Sequence, residues 1–151
     1  MRFPEVEGEN LAGQQFVYPR DFSGARTIAL VAFDLKQRDD LETWVPFVDR
    51  FARTGVARGR VFPALSRSMR MMKRMIVSTM RGGAPSPEAR EATVPLFVDM
   101  DEFCTALGIT DRGRIHAFVV EPDGSISAHR SGPYDASAGA DLEARVIAAR
   151  T

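Results

Sequence analysis

The stretch Thr27-Ile28-Ala29-Leu30-Val31-Ala32-Phe33 decides the fold class, because it is a continuous and almost wholly apolar run. A strand with this pattern is covered on both faces, which is typical of a sheet that lies between helices. Residues 39–54 follow with apolar side chains at helical spacing, and Asp39 and Asp40 suit the start of a helix. They predict a helix that kinks or begins late at Pro46. We therefore expect an α/β fold.

The rest of the chain continues this alternation. Strands are predicted at residues 15–19, 59–65, 93–98, 115–120 and 125–129, and helices at 66–80, 101–107 and 141–150. The turn Glu121-Pro122-Asp123-Gly124 joins the last two strands into a hairpin. The early alternation predicts parallel strands and the hairpin adds an antiparallel edge, so the sheet is mixed. We expect a single domain over residues 1–151, with residues 1–24 as an N-terminal extension.

The composition excludes several classes of protein. The 151 residues carry 20 Lys+Arg and 20 Asp+Glu, so a protein that coats nucleic acid is not expected. The single cysteine excludes an internal disulfide and multi-cysteine metal sites, and we predict no metal and no other cofactor. Residues 1–9 lack the apolar core of a signal peptide, and no apolar run is long enough to cross a membrane. We expect a cytoplasmic protein.

Two segments carry a family resemblance that covers about residues 25–150. Leu30-Val31-Ala32-Phe33 and Phe118-Val119-Val120-Glu121-Pro122-Asp123-Gly124 resemble the corresponding segments of thioredoxins and redoxins. The resemblance implies a three-layer α/β/α sandwich with a mixed central sheet. It places the redox Cys-x-x-Cys pair on Arg38-Asp39-Asp40-Leu41 and the cis-proline that faces the pair on Ile115. Because both landmarks are missing, and a peroxiredoxin cysteine pattern is missing too, the resemblance implies no thiol–disulfide activity.

A narrower resemblance lies in the middle of the chain. Phe62-Pro63-Ala64-Leu65-Ser66, Met80-Arg81-Gly82-Gly83 and Ser86-Pro87-Glu88-Ala89-Arg90-Glu91-Ala92-Thr93 carry it. These segments are similar to the thioredoxin-like family that includes the mitochondrial ATP-synthase membrane-sector assembly factor and its bacterial relatives. The resemblance implies a non-redox assembly or chaperone role near a membrane complex.

Residues 66–80 are the most unusual segment, because they hold five of the seven methionines. They lie within residues 58–90, where eight basic residues stand against one acidic residue. Methionine suits surfaces that adapt to apolar partners, and basic charge suits an acidic protein or an anionic membrane surface. The residues that we predict to bind a partner are Arg67, Met69, Arg70, Met72, Lys73, Arg74, Ile76 and Met80. The alternative is an ordinary helix that packs on the core and solvates its basic side.

The titratable residues give weaker signals. Cys104 shares a predicted helix with Phe103 and Leu107, so burial is the favoured interpretation, because a reactive cysteine needs a cationic and partly exposed setting. His116 and His129 lack the spacing of metal ligands, and His116 is expected to face one side of the sheet with a hydrogen bond.

An acidic group follows the first central strand. Asp34, Asp39, Asp40 and Glu42 could hold a cation there or serve a histidine as an acid–base partner, but helix capping accounts for the same residues.

Three hypotheses for function follow. The first is a non-redox thioredoxin-like binding or assembly protein that meets a protein partner through its Met-rich helix, with a membrane complex as the expected partner and peripheral contact at the inner membrane. The second is a single-cysteine thiol peroxidase or redox sensor that uses Cys104. The third is a homodimer that pairs through the apolar methionine face.

Overall fold

A computed structural model describes residues 1–149 and has a five-stranded mixed sheet at its centre. The strands are β1 Val6–Glu9, β2 Gln15–Tyr18, β3 Arg26–Ala32, β4 Ala57–Ser66, β5 Leu96–Val98, β6 His116–Val120 and β7 Ile126–Ser131. The central sheet has the order β5-β4-β3-β6-β7. β3 pairs in parallel with β4 and antiparallel with β6, while β4–β5 is parallel and β6–β7 antiparallel. The predicted mixed sheet is confirmed.

Helices cover both faces of the sheet. They are α1 Arg38–Thr43, α2 Val45–Arg53, α3 Lys73–Gly83, α4 Pro87–Ala92, α5 Met100–Leu107 and α6 Ala136–Val146. One apolar core joins the sheet to α1, α2 and α6, and the other joins it to α5 and the N-terminal segment. All seven residues of β3 are buried, as the continuous apolar run predicts. The predicted three-layer α/β/α sandwich is confirmed.

The helix predicted over residues 39–54 is two helices. α1 ends at Thr43, α2 begins at Val45, and the buried Trp44 stands at the junction. Pro46 lies in the first turn of α2, where its missing N–H has no intrahelical partner to lose. The late-start interpretation of Pro46 is therefore correct for α2, and a separate short helix precedes it.

The last helix lies earlier than the predicted 141–150. α6 begins after Asp135, whose carboxylate accepts a hydrogen bond from the backbone N–H of Ala138 at 2.8 Å, and it ends at Val146. This aspartate cap fixes the start at Ala136, before the predicted start at Asp141. Position 150 of the prediction lies outside the described residues.

Two strand predictions also change. β4 continues through Pro63. The carbonyl oxygen of Val61 accepts a hydrogen bond from Val94 N–H, so the backbone polar groups of Val61 point away from β3. Pro63 lies two residues further along the strand, so its backbone polar groups point the same way. The missing N–H of Pro63 therefore costs no bond to β3. The strand predicted at 93–98 is shortened to β5, and Thr93 makes only an isolated bridge to Val61.

The N-terminal segment is part of the folded body. β2 ends before Pro19, as predicted, but it pairs with β1 in a separate two-stranded hairpin and not with the central sheet. Phe3, Tyr18 and Phe22 are buried and contact one another through their rings. Residues 1–24 therefore supply part of the core on the α5 face.

Candidate functional site

The start of α1 occupies the position where the resemblance places a redox cysteine pair. Arg38 is the first residue of α1, and Asp39 and Asp40 lie in its first turn. Leu41 packs against the core under α1 and α2, and the fully buried Ile115 belongs to the same core. The structure thus brings Leu41 and Ile115 into one apolar cluster, and the position holds apolar packing in place of sulfur.

Arg38 links the start of α1 to the end of α3. Its Nη2 donates a hydrogen bond to the carbonyl oxygen of Gly83 at 2.7 Å, and its Nε lies 3.4 Å from a carboxylate oxygen of Glu42. A Cβ on Gly83 would lie 3.0 Å from Arg38 Nη1, so glycine permits this close approach. A cation at a helix C-terminus is electrostatically favourable. Arg38 therefore connects two helices at the position that the resemblance assigns to the first redox cysteine.

A cleft of about 680 Å³ opens at the carboxyl ends of β3 and β4. Its apolar lining includes Phe33, Leu35, Leu41, Pro63, Leu65 and Met80. One wall comes from the start of α1 with Arg38, and the other comes from the C-terminal turns of α3. The carboxyl ends of strands are where open α/β sheets hold ligands. The cleft is the candidate binding site, and it brings Met80 of the Met-rich segment beside Arg38 and Leu41.

The acidic residues at this edge of the sheet cap turns and helix starts close to them in the sequence. The Asp34 carboxylate accepts a hydrogen bond from Lys36 N–H at 2.8 Å and caps the turn that precedes α1. Within residues 1–149, His, Cys, Asp and Glu side chains form no group of three that could hold a metal ion. The capping interpretation fits Asp34, and Asp39 and Asp40 lie where a helix favours negative charge.

The Met-rich segment departs from the predicted helix over 66–80. Residues Arg67–Met72 form a 3-10 helix, in which Ser66 accepts from Ser68 N–H, and only then does α3 begin at Lys73 and run to Gly83. Of the expected stripe, Met72 is exposed, whereas Met69, Ile76 and Met80 are partly buried.

No residue between 67 and 83 is buried. Met71 is 97% exposed, Met75 61% and Met72 42%, while Met69, Ile76 and Met80 are partly buried. Within α3, Lys73, Ile76, Val77 and Met80 are partly buried, so one side of the helix lies against the rest of the chain while Met75 stays exposed. Met71 and Met75, which the predicted partner-binding set omits, are the most exposed methionines of the segment.

Two basic residues of this region make contacts with other parts of the chain. Lys73 forms an ion pair with Glu9 at 3.2 Å, and Arg81 Nε donates to the carbonyl oxygen of Leu11 at 2.9 Å. Both contacts fasten α3 to the N-terminal segment. Sequence reasoning missed this use of charge, because it depends on residues some 70 positions away. Arg67, Arg70 and Arg74 are exposed and form no ion pair within residues 1–149.

Cys104 lies in the other layer of the molecule. It is 4% exposed and belongs to the core between α5 and the sheet, whereas Leu41 and Ile115 belong to the core on the opposite face. The predicted burial of Cys104 is confirmed. The guanidinium of Arg112 pairs with the carboxylate of Asp101 on α5, and this hydrogen bond is the main cause that raises the pKa of Arg112.

Comparison with known proteins decides the fold family. No protein-family model and no curated protein matches the chain. Solved structures do match it. The exposed lipoprotein thioredoxin Etrx1 from Streptococcus pneumoniae superposes with a TM-score of 0.61 at 10% identity, covering 95% of this chain and 98% of its own. The thioredoxin domain of a thiol-disulfide oxidoreductase from Bacteroides vulgatus gives 0.60 at 16%, covering 97% and 96%.

BsSco, a member of the Sco family of cytochrome c oxidase assembly proteins, gives a TM-score of 0.62 at 11% identity and covers 96% of this chain and 91% of its own. The chain has a thioredoxin-like fold. At these identities the similarity concerns the fold alone. Arg38 and Leu41 occupy the position that the resemblance assigns to the pair, and the one cysteine lies across the sheet from them.

Two histidines form a hydrogen-bonded pair on β6 and β7 of the thioredoxin-like sheet, with His116 buried and His129 half-buried. His116 Nε2 lies 2.7 Å from the carbonyl oxygen of Asp111, which can only accept, so this nitrogen carries the proton. His116 Nδ1 then accepts from His129 Nε2–H at 2.9 Å. The predicted hydrogen bond of His116 is confirmed. Among the described residues neither imidazole bonds to a carboxylate, so the acid–base pairing with Asp34, Asp39 or Asp40 does not form.

Burial is the main cause that lowers the pKa of both imidazoles. It lowers the pKa of His129 to about 4, with a smaller contribution from His116, and it lowers the pKa of His116 as well. The pair is neutral at physiological pH and joins the edge strand β7 to its neighbour β6. Of the helices that the structure describes, none is both long and apolar enough to span a bilayer.

Proposed function

We propose that this chain is a non-redox binding protein of assembly or chaperone type, which contacts a protein partner at or near a membrane complex through the Met-rich segment 67–83. The observation that carries the proposal is the exposure of Met71, Met72 and Met75 within five residues. Single exposed apolar residues are ordinary, but apolar side chains gathered on one exposed segment mark an interaction surface.

The physical chemistry of the segment supports binding. Full burial of a methionine side chain contributes about 1.5–3 kcal/mol, so covering Met71 and Met75 together would contribute several kcal/mol to a complex. Methionine has three rotatable bonds and a polarizable sulfur, so it adapts to apolar surfaces of different shapes. At the C-terminal end of α3, the apolar cleft lined by Leu41, Leu65 and Met80 offers a further recess for a partner's side chain.

The position of the sulfur argues against redox chemistry. A thiol–disulfide exchange reaction needs an accessible thiolate, and the start of α1 supplies Arg38 and Leu41 where the pair would stand. The fold is shared with BsSco, which belongs to a family of cytochrome c oxidase assembly proteins. We extend an assembly role of this general kind to the present chain, together with peripheral contact at the membrane.

The test is a crosslinked pull-down from detergent-solubilised native cells with three baits. They are the wild type, the double variant Met71→Ser/Met75→Ser, and a control Val56→Ser/Ile147→Ser that removes two exposed apolar residues elsewhere. We expect the same membrane-complex subunits with the wild type and the control, and their loss with the methionine variant. Equal recovery with all three baits, or recovery of no membrane-complex subunit, would contradict the proposal.

A further double variant separates the contribution of charge from that of apolar contact. Arg70→Glu/Arg74→Glu removes two exposed cations and leaves Lys73 with its ion pair to Glu9, so α3 stays fastened to β1. We expect partner recovery to fall in this variant as well, and to fall further at high salt, because screening weakens exposed charge pairs. Recovery that is unchanged by both would restrict the contact to the methionines.

A second candidate function rests on Cys104, the single thiol of the chain, which is buried in the core beside α5. We infer a single-cysteine peroxidase or redox sensor only if the purified chain consumes hydrogen peroxide and Cys104→Ser abolishes that consumption. Absence of turnover, or turnover that survives Cys104→Ser, would remove this candidate.

A further inference from the structure

Three buried side-chain polar atoms within residues 1–149 have no hydrogen-bond partner. They are the hydroxyl of Tyr18, the hydroxyl of Thr27 and Nε of Arg60. Tyr18 and Thr27 are fully buried, and Arg60 is half-buried. Each of the three groups can donate a hydrogen bond. Because buried polar groups in native proteins are nearly always hydrogen-bonded, three such donors on one part of the fold indicate a site for an acceptor.

The register of β3 and β4 places these groups on one face of the sheet. Thr27 pairs with Arg58 in the parallel ladder, so their side chains point to the same side. Arg58, Arg60 and Phe62 alternate along β4 and therefore share that side. The ring of Phe62 lies 5.2 Å from the ring of Tyr18. The N-terminal segment thus brings the Tyr18 side chain onto the face that carries both arginines.

The two arginines carry positive charge that no carboxylate pairs. Neither Arg58 nor Arg60 forms an ion pair within residues 1–149. Arg58 donates to the carbonyl oxygens of Asp21 and Ser23 at 2.9 and 3.0 Å, and Arg60 donates to that of Gly59 at 2.8 Å. Burial first, and the charge of Arg60 second, lower the pKa of Arg58. An anion beside both guanidinium groups would offset this repulsion.

The neighbouring acid and phenol leave that positive charge in place. The Asp21 carboxylate accepts a hydrogen bond from Val17 N–H at 2.6 Å and pairs with Arg20 at 3.3 Å. Burial raises the pKa of the Tyr18 phenol, and the charge of Arg60 opposes this shift. Since an ordinary phenol has a pKa near 10, the Tyr18 hydroxyl is protonated at neutral pH and can donate to an anion.

An open groove of about 580 Å³ between α2 and α4 reaches the two arginines. Much of its lining is apolar and comes from Leu30, Val45, Val48, Ala52, Ala57 and Val61. Asp49, Glu88 and Glu91 line the same groove, and within residues 1–149 none of them pairs with Arg58 or Arg60. These acids disfavour a second negative charge on a ligand. The groove therefore suits a ligand with one anionic end and an uncharged apolar body.

We propose that this face of β3 and β4 binds a phosphate group, carried by a small molecule whose apolar body lies in the groove. The Tyr18 hydroxyl and Arg60 Nε are the principal donors to the phosphate, Arg58 supplies the second positive charge, and Thr27 lies beside Arg58. These groups come from three different strands, and a tetrahedral phosphate presents its oxygens in more directions than a planar carboxylate does. The site is separate from the Met-rich segment and does not depend on the proposed function.

Isothermal titration calorimetry of the purified full-length chain with phenyl phosphate tests the site, with the ionic strength held constant by sodium chloride. Inorganic phosphate lacks the apolar body, and benzoate keeps that body but replaces the phosphate with a carboxylate. The variants are Tyr18→Phe, which removes only the hydroxyl, and Arg60→Gln. Arg145→Gln is the matched control, because Arg145 is an exposed arginine on α6 outside the groove.

We expect phenyl phosphate to bind the wild type and Arg145→Gln equally. Binding to Arg60→Gln should be at least about tenfold weaker, because a hydrogen bond between two charged groups is lost. Tyr18→Phe should also bind more weakly, although it should be as stable as the wild type without phosphate, since its hydroxyl has no partner to lose. Inorganic phosphate should bind more weakly than phenyl phosphate, and benzoate more weakly still.

No heat of binding with phenyl phosphate up to about 10 mM would overturn the proposal. Unchanged affinity in both Tyr18→Phe and Arg60→Gln, with each variant folded by circular dichroism, would overturn it as well. Benzoate that binds as tightly as phenyl phosphate would contradict the preference for phosphate, and inorganic phosphate that does so would contradict the role of the groove. These measurements need no protein partner, so their failure leaves the proposed function to its own test.

Discussion

The histidine pair on β6 and β7 makes stability depend on pH in one direction. Burial first, and the neighbouring His116 second, lower the pKa of His129 to about 4, whereas an unfolded histidine has its ordinary value near 6.5. The folded chain therefore holds the imidazole neutral over a range in which the unfolded chain binds a proton. Stability is full above about pH 6.5 and is lost as the pH falls towards 4.

The size of the effect follows from those two values. At 1.36 kcal/mol per pH unit, the full loss for His129 is about 3 kcal/mol, and about 2 kcal/mol of it has appeared at pH 5. The lowered pKa of His116 acts in the same direction. The variant His129→Gln keeps a side-chain N–H that can donate to His116 Nδ1 but cannot bind the proton. It should therefore lose less stability than the wild type as the pH falls.

Urea unfolding at pH 7.5, 6 and 5 measures this difference, with the fluorescence of the single, buried Trp44 as the signal. We expect the free energy of unfolding of the wild type to fall about 2 kcal/mol more than that of His129→Gln between pH 7.5 and pH 5. Carboxylates titrate equally in both proteins, so the comparison cancels them. Identical pH dependence, or a wild type that gains stability relative to the variant in acid, would contradict the role of His129 in the pH dependence.

Three further predictions concern the rest of the chain. Arg26→Ala removes a buried guanidinium that pairs with a glutamate and donates to two carbonyls at the end of α6, so we expect a loss of about 3–5 kcal/mol in urea unfolding; a loss below 1 kcal/mol would contradict the burial of this pair. Met71→Ser/Met75→Ser should change the free energy of unfolding by less than about 1 kcal/mol because both side chains are exposed, whereas Phe62→Ala in the core should cost about 3–5 kcal/mol. The thiol of Cys104 should react with a thiol reagent slowly in the folded chain and fast in urea, and equal rates would show that it is accessible.

The parts of the fold that local chemistry dictates are predictable from the sequence. The run that forms β3 is apolar throughout, and such a strand has no stable place outside a covered sheet. α5 begins after the capping residue Asp99 and is closed by Gly108 with φ 68°, a conformation that favours glycine. Residues next to the helix therefore determine both of its ends. The start of α6 at Asp135 was missed because the residues after the cap are small and show no apolar period.

The candidate site depends on contacts between distant segments and is therefore less predictable. The amphipathic pattern of residues 66–80 indicates a helix but does not say whether the rest of the chain covers its apolar side. The structure decides this, because Lys73 and Arg81 fasten α3 to the N-terminal segment and leave Met71 and Met75 outside. The cleft likewise needs β3, β4 and α3 together, and the contact of Arg38 with Gly83 joins residues 45 positions apart.

Photo-crosslinking from position 71 tests the central claim most directly. A photoreactive phenylalanine analogue is placed at Met71 in the native cell, and a second chain carries it at Ile147, an exposed apolar residue at the other end of the sequence. We expect an adduct with a protein of a membrane complex from position 71 and none from position 147. No adduct from position 71, or the same adducts from both positions, would contradict the claim that the exposed methionines are a binding surface.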